Sequence, residues 1–156
     1  MAKLVFLGGT VGNNPWRLGT IERLINRGIP KEWIFNPALP PGTWTAADGA
    51  KEEVAKLKAS HHLFYLADPK EEGNHLSTYS MLEANQALQD HPKRTVVVFD
   101  TEGMHKDGHP AKVMKQVEKN LRKRYPTGNI FGNPKDAEDW LVWQLTTNPL
   151  KKWLGG

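Results

Sequence analysis

Short apolar runs alternate with segments of helical period along the chain. Lys3-Leu4-Val5-Phe6-Leu7 predicts a buried strand broken by Gly8-Gly9. Asn14-Pro15 offers a cap and a first-turn proline, and Leu18, Ile21 and Ile25 share one face of the helix that follows. Trp33-Ile34-Phe35 predicts a second strand, stopped by Asn36-Pro37, and Pro37 to Thr45 is a proline- and glycine-rich loop. A second helix places Ala50, Val54 and Leu57 inward. His62 to Ala67 is a third strand, and Asp68 to His75 a charged loop. Ser77 to Leu88 is helical, with Met81, Ala84 and Leu88 inward. Thr95-Val96-Val97-Val98-Phe99 is β-branched almost throughout, the composition of a strand covered on both faces. Val113, Val117 and Leu121 mark a fourth helix and Asn129-Ile130-Phe131 a fifth strand. Asn133-Pro134-Lys135-Asp136 then opens a last helix through Trp140, Leu141 and Leu145.

Five strand–helix alternations predict a flavodoxin-like or Rossmann-like three-layer α/β sandwich around a five-stranded parallel sheet. With no repeat, linker or low-complexity tract, residues 1–156 form one expected domain, a length that buries an adequate core without staples. The chain has no cysteine, which excludes disulfides, thiolate metal sites and a cysteine nucleophile. No long uncharged apolar run and no signal-peptide layout at Met1-Ala2-Lys3 lead to the expectation of a soluble cytoplasmic protein away from membranes. A net charge of +4 suits an anionic small ligand and is too small to require nucleic acid. The basic run Lys112, Lys115, Lys119, Arg122, Lys123 and Arg124 lacks interleaved aromatics to stack bases and is a solvated face, so no nucleic-acid partner is expected. His105 and His109 sit in a Gly-Pro loop without helical ligand spacing, so no metal is expected. Trp140, Trp143 and Trp153 exceed what one inner face needs, which suggests a subunit interface.

In open parallel sheets ligands bind beyond the carboxyl ends of the strands, where strand order reverses. The residues there are Gly8-Gly9-Thr10, Asn36, Asp68 and Asp100-Thr101-Glu102. The loop from Gly8 to Pro15 can cradle a phosphate on backbone N–H groups with Arg17 supplying charge, or it is a tight turn that needs glycine; it matches neither common nucleotide fingerprint. Glu83 lies early in a helix that starts at the same edge, where the helix dipole favours its ionised form. Ser80-x-x-Glu83 equally fits a capping box, in which the glutamate would only cap backbone.

These features resemble the nucleoside 2-deoxyribosyltransferase superfamily, which includes the deoxynucleoside monophosphate N-glycosidases. The likeness rests on Phe6-Leu7-Gly8-Gly9-Thr10, Trp16-Arg17, Asn36-Pro37 and Ser77 to Glu83, over roughly the first two-thirds of the chain. It implies that Glu83 is the nucleophile and Ser77 meets a 5′-phosphate. It also implies that Gly9, Thr10, Val11 and Gly12 form the sugar- or phosphate-binding loop. An acid on the second helix would handle a proton on the base; Glu53 matches best, with Asp48 or Glu52 as alternatives. The expected substrate-binding set is Phe6, Gly9, Thr10, Gly12, Arg17, Asp68, Ser77 and Ser80. The chain departs from the family in having Phe6 where many members carry tyrosine, and Thr78-Tyr79-Ser80 where a small, glycine-rich run is usual.

The implied activity is cleavage or transfer at the N-glycosidic bond of a nucleoside or nucleoside 5′-monophosphate, without metal or cofactor, in a homo-oligomer. Such cleavage develops oxocarbenium character at the anomeric carbon, which a carboxylate stabilises or captures. The rival expectation is a binding module that recognises a nucleotide or nucleotide signal in the same cleft without chemistry. The enzyme reading requires the Glu83 carboxylate to face an open crevice rather than its own peptide groups or a cation from elsewhere in the chain.

Overall fold

A computed structural model describes residues 3–10, 16–39, 42–67, 77–100 and 109–147. Its elements run β1 Val5–Gly9, α1 Trp16–Asn26, β2 Ile34–Phe35, α2 Ala46–Lys58, β3 His61–Ala67, α3 Thr78–Asp90, β4 Thr95–Asp100, α4 His109–Arg124, β5 Asn129–Phe131 and α5 Pro134–Thr146. The five strands form one sheet of order β2-β1-β3-β4-β5, parallel at every pairing. This is the flavodoxin-like order, and its switch point lies between β1 and β3, where the chain turns from building one side of the sheet to the other. Register there pairs Gly9 with Tyr65, and across the next gap Ala67 with Asp100.

Each face of the sheet has its own apolar layer. Val5, Leu7, Leu63, Tyr65, Val96 and Val98 pack under Trp16 and Leu24 of α1 and Leu141 and Leu145 of α5. Phe6, Phe64, Leu66, Val97 and Phe99 pack under Ala55, Ala84, Leu88, Met114 and Leu121 of α2, α3 and α4. Alternate residues of one strand thus feed opposite layers, and both faces of the sheet are covered.

The helix starts follow from local chemistry. Thr45 and Asp48 form a reciprocal capping box on α2. Asn133 accepts from the Asp136 N–H, with Pro134 in the first turn of α5 as expected. Residues 31–33 form a 3₁₀ turn, so β2 begins at Ile34 rather than Trp33.

Two helices are rotated from the expected orientation. In α1 the buried positions are Trp16, Arg17, Thr20 and Leu24, while Leu18 is 67% exposed. In α2 the buried residue is Ala55, and Val54 and Leu57 face outward. Ala55 is the α2 side chain that joins Phe6 and Phe64 in their layer. The Asn14-Pro15 start of α1 lies outside the described residues. Among the described residues no helix is long and apolar enough to cross a membrane.

Candidate active site

The carboxyl edge of β1 is shaped by glycine and held by arginine. Gly9 has φ of +126°, and a Cβ there would collide with the Tyr65 carbonyl oxygen, so only glycine fits beside β3 at this point. Thr10 N–H donates to that same carbonyl at 3.0 Å. Arg17, buried at the start of α1, donates from Nε to Leu7 O (3.2 Å), from Nη2 to Gly9 O (3.0 Å) and from Nη1 to Thr10 O (2.8 Å). Trp16 Nε1 donates to Thr10 O as well, at 2.8 Å. Burial lowers the Arg17 pKa to about 10, partly offset by the fields of Glu52 and Glu83. The guanidinium therefore stays charged at neutral pH, and its role in this arrangement is to fix the path of the loop. Val11, Gly12 and Asp68 lie outside the described residues, as do Thr101, Glu102, His105 and Trp153.

Next to this edge the Tyr65 hydroxyl donates to Asp100 Oδ2 across the gap between β3 and β4, and the Tyr65 ring stacks on Trp16 at 4.7 Å between centroids. This pair closes the end of the sheet on the α1 side. The sequence offered no motif for it.

On the opposite face Glu83 projects from the second turn of α3. The cap of that helix is Ser77, whose Oγ accepts from the Ser80 N–H at 3.2 Å and lies 2.6 Å from Ser80 Oγ. The capping box Ser80-x-x-Glu83 therefore does not form, because the helix starts three residues earlier. Glu83 is free of backbone capping and lines a cavity of about 220 Å³ between α2 and α3 with Glu53, Lys56, His62, Phe64 and Tyr79. Ser80 is buried behind Ser77, and Phe6 lies on the floor of the α2–α3 face, stacked on Phe35 at 5.9 Å.

The condition set for Glu83 is not met as stated: the carboxylate lines a cavity but is paired there with a cation from another helix, Lys56, which the sequence reading missed. Its ammonium contacts Glu83 Oε2, lies 2.9 Å from Glu53 Oε1 and 3.4 Å from Glu52 Oε1, and sits over the rings of Tyr79 (5.3 Å) and Phe6 (5.6 Å). Burial pushes the Glu83 carboxyl above the usual range; Lys56 pulls it down, and Glu52 and Glu53 push it up again. The expected help from the helix dipole is not what governs it, since that field fades beyond the first turn. Burial also works against the Lys56 ammonium, but its carboxylate partners outweigh it and raise its pKa. The contact of Glu83 Oε2 with Lys56 is an ion pair between α3 and α2.

Of the candidate acids, Glu53 is 62% exposed and lines the cavity, and Glu52 is more enclosed. Asp48 accepts from the N–H and the hydroxyl of Thr45 (2.9 and 2.8 Å), which lower its pKa and occupy it as a cap. The signal for Lys56 was its spacing of three and four residues from two glutamates, a pattern that ordinarily marks a solvated helix face.

Deeper in the same cavity His62 is 5% exposed, and neither ring nitrogen has a hydrogen-bond partner among the described residues. Its ring lies nearly parallel to Phe64 (6.2 Å) and His91 (5.8 Å). Burial, aided by His91 and Arg94, lowers its pKa to about 4, so it is neutral. Arg94 Nη2 lies 3.1 Å from His91 Nδ1; since arginine only donates, the proton of a neutral His91 is on Nε2.

Elsewhere, Lys112, Lys115, Lys119, Arg122, Lys123 and Arg124 are all exposed along α4. Trp140 packs against the α1–α5 layer and Trp143 is 45% exposed. No group of three or more His, Asp or Glu among the described residues is placed to hold a metal ion. No family model matches the chain, and no curated protein matches it.

Proposed function

We propose that the chain cleaves or transfers at the N-glycosidic bond of a nucleoside or nucleoside 5′-monophosphate, with Glu83 as nucleophile. The observation that carries this reading is the Glu83 carboxylate in the α2–α3 cavity with a second carboxylate facing it. Glu83 and Glu53 both lie within hydrogen-bond distance of one ammonium. Their oxygens are therefore no more than about 6 Å apart, close to the roughly 5–5.5 Å between the carboxyl groups of retaining glycosidases.

In this mechanism Glu83 attacks the anomeric carbon while the C–N pair withdraws into the base. The acid, Glu53 or the more enclosed Glu52, takes up a proton from solvent before the step and delivers it to the base, which leaves neutral. Water or a second base then takes the sugar from the glycosyl ester, with the same acid acting as base. Sugar or phosphate would rest at the start of α3 by Ser77. Gly9 and Thr10 only shape the neighbouring sheet edge, since the Thr10 N–H and both carbonyls are engaged by Tyr65, Arg17 and Trp16, and none of Ser77, Gly9 and Thr10 lines the cavity. The enzyme acts as a homo-oligomer.

A second reading, a nucleotide-binding module without chemistry, draws on the ion pair: Glu83 is held by a cation from another helix, and the oxygen so held, Oε2, is a weakened nucleophile. One experiment separates the two. The protein is incubated with deoxynucleosides and their monophosphates, and free base is followed by chromatography. Glu83→Ala should reduce release at least about 10³-fold with the fold intact. Equal background release from both proteins would end the enzyme reading. Thermal stabilisation by the same compounds without turnover would then support the binder.

A further inference from the structure

One ammonium in the cavity serves carboxylates from two helices. Lys56 reaches in from α2, only 15% exposed, and meets Glu83 of α3 as well as Glu52 and Glu53 of its own helix. We propose that Lys56 is the positioning residue of Glu83: it holds Oε2, keeps the group a carboxylate, and leaves attack to Oε1. This rests on the reading of Glu83 as nucleophile.

The surroundings of Glu83 show why such a residue is needed. Glu52 and Glu53 repel it from α2, and its own burial favours the neutral acid. Arg17 lies on α1 with a field that reaches Glu83, but its donors are directed at three backbone carbonyls. Tyr79 from α3 and neutral His62 from β3 share the cavity and bring no positive charge at neutral pH. Lys56 is the cation in contact. Without it, burial and the two glutamates of α2 would act on Glu83 unopposed and favour the protonated acid, which is a poor nucleophile.

The same geometry accounts for the two extra glutamates. When Oε1 bonds to the anomeric carbon and the C–N electron pair leaves with the base, Glu83 becomes a neutral ester. Lys56 keeps its proton throughout, and its charge is then balanced by Glu52 and Glu53, so the step strands no buried ion. When water or a second base releases the sugar, Glu83 regains its charge beside a lysine already in place.

A purely structural staple between α2 and α3 would look similar, and pH dependence tells them apart. Lys56→Met keeps the stem over the Phe6 and Tyr79 rings and removes the charge; Lys56→Arg keeps the charge. The full chain, carrying ¹³C at glutamate side-chain carboxyls and assigned with Glu83→Gln, is titrated by NMR, and base release is measured against pH. In Lys56→Met the Glu83 midpoint and the acid limb of the rate both move to higher pH by about one unit or more. Release at the foot of that limb drops about tenfold and recovers as pH rises, and Lys56→Arg follows wild type. Glu52→Gln moves the midpoint the other way and carries the test if Lys56→Met does not fold. A lower melting temperature with an unmoved midpoint and limb would overturn the proposal while leaving the enzyme reading intact. A midpoint that moves in a protein releasing no base would overturn the catalytic role, though the electrostatic link between the two residues would stand.

Discussion

The two faces of the sheet treat buried polar groups in opposite ways. Under α1 and α5 the buried ions among the described residues, Arg17 and Glu138, are engaged. Arg17 spends three donors on the carbonyls of Leu7, Gly9 and Thr10. Glu138, 4% exposed, takes Arg23 through contacts of 2.7–3.0 Å and ties α5 to α1. Under α2 and α3 the packing leaves a cavity, a carboxylate above its usual pKa and an imidazole whose two nitrogens have no partner among the described residues. Unsatisfied buried groups cost about 1–3 kcal/mol each, so a fold retains them where something other than stability requires them. One face is built to hold the sheet edge in place. The other tolerates imperfection beside the groups that could do chemistry.

The largest test of this contrast is Arg17→Met. It keeps much of the side-chain volume but leaves the three carbonyl oxygens without their guanidinium donors. A loss of about 3–5 kcal/mol is expected, measured by urea unfolding, since several buried acceptors lose their donors together. A loss below about 1 kcal/mol would show that water replaces the guanidinium easily and that the α1 face is not the rigid one.

That clamp also shows what could be read from the chain. The five-stranded parallel sheet and most elements were legible, because five apolar runs and their turn residues leave few α/β topologies; the strand order and the layer each helix joins came only with the structure. Two helix orientations were not. Reading α1 from Leu18, Ile21 and Ile25, and α2 from Ala50, Val54 and Leu57, turns each helix by its apolar residues alone, and of these Ile21 does pack against the core. In the fold the inward stripes are Trp16-Arg17-Thr20-Leu24 and Glu52-Ala55-Lys56, turned by one residue, or about 100°. Polar residues face in because they have partners there: carbonyls for Arg17 and Glu83 for Lys56. Periodicity scores hydrophobicity alone and does not register a buried polar group that is satisfied across the fold. Glu83 was found by its place in a motif, whereas Lys56, which shares its cavity, carries no local signal that separates it from a surface pair. His62 opens a strand in the sequence, and only its depth in the cavity reveals a ring without partners among the described residues.

His62→Phe tests the other side of the contrast. The phenyl ring continues the Phe6–Phe64 packing, has room in the adjacent cavity and removes both unpartnered nitrogens. A gain of about 1–2 kcal/mol at pH 7.5 is expected. The pH dependence has a definite sign. With a folded pKa of about 4 against an ordinary 6.5, folded His62 refuses a proton that the unfolded chain accepts. Its contribution is complete above pH 6.5 and is lost as pH falls toward 4, on the order of 3 kcal/mol over the full passage. The variant should flatten unfolding free energy across that window. A destabilised variant, or an unchanged slope, would mean that the imidazole has partners and that the α2–α3 face is as well satisfied as its counterpart.

The smallest expected effect lies at the mouth of the same cavity. Leu57 is 86% exposed, although its size and position on α2 suggest a core residue. Leu57→Ser removes apolar surface that the folded chain already leaves in water, so stability should change by no more than about 0.5 kcal/mol. The comparison partner is Leu24 on α1, fully buried, where Leu24→Ala should cost about 2–5 kcal/mol. Urea unfolding of the two variants side by side measures the rotation of α2 directly, because an inward Leu57 would bring its cost up toward that of Leu24. With Leu57 outward, the position facing Glu83 from α2 is occupied by Lys56, and the charge cluster and the misread helix face have the same cause.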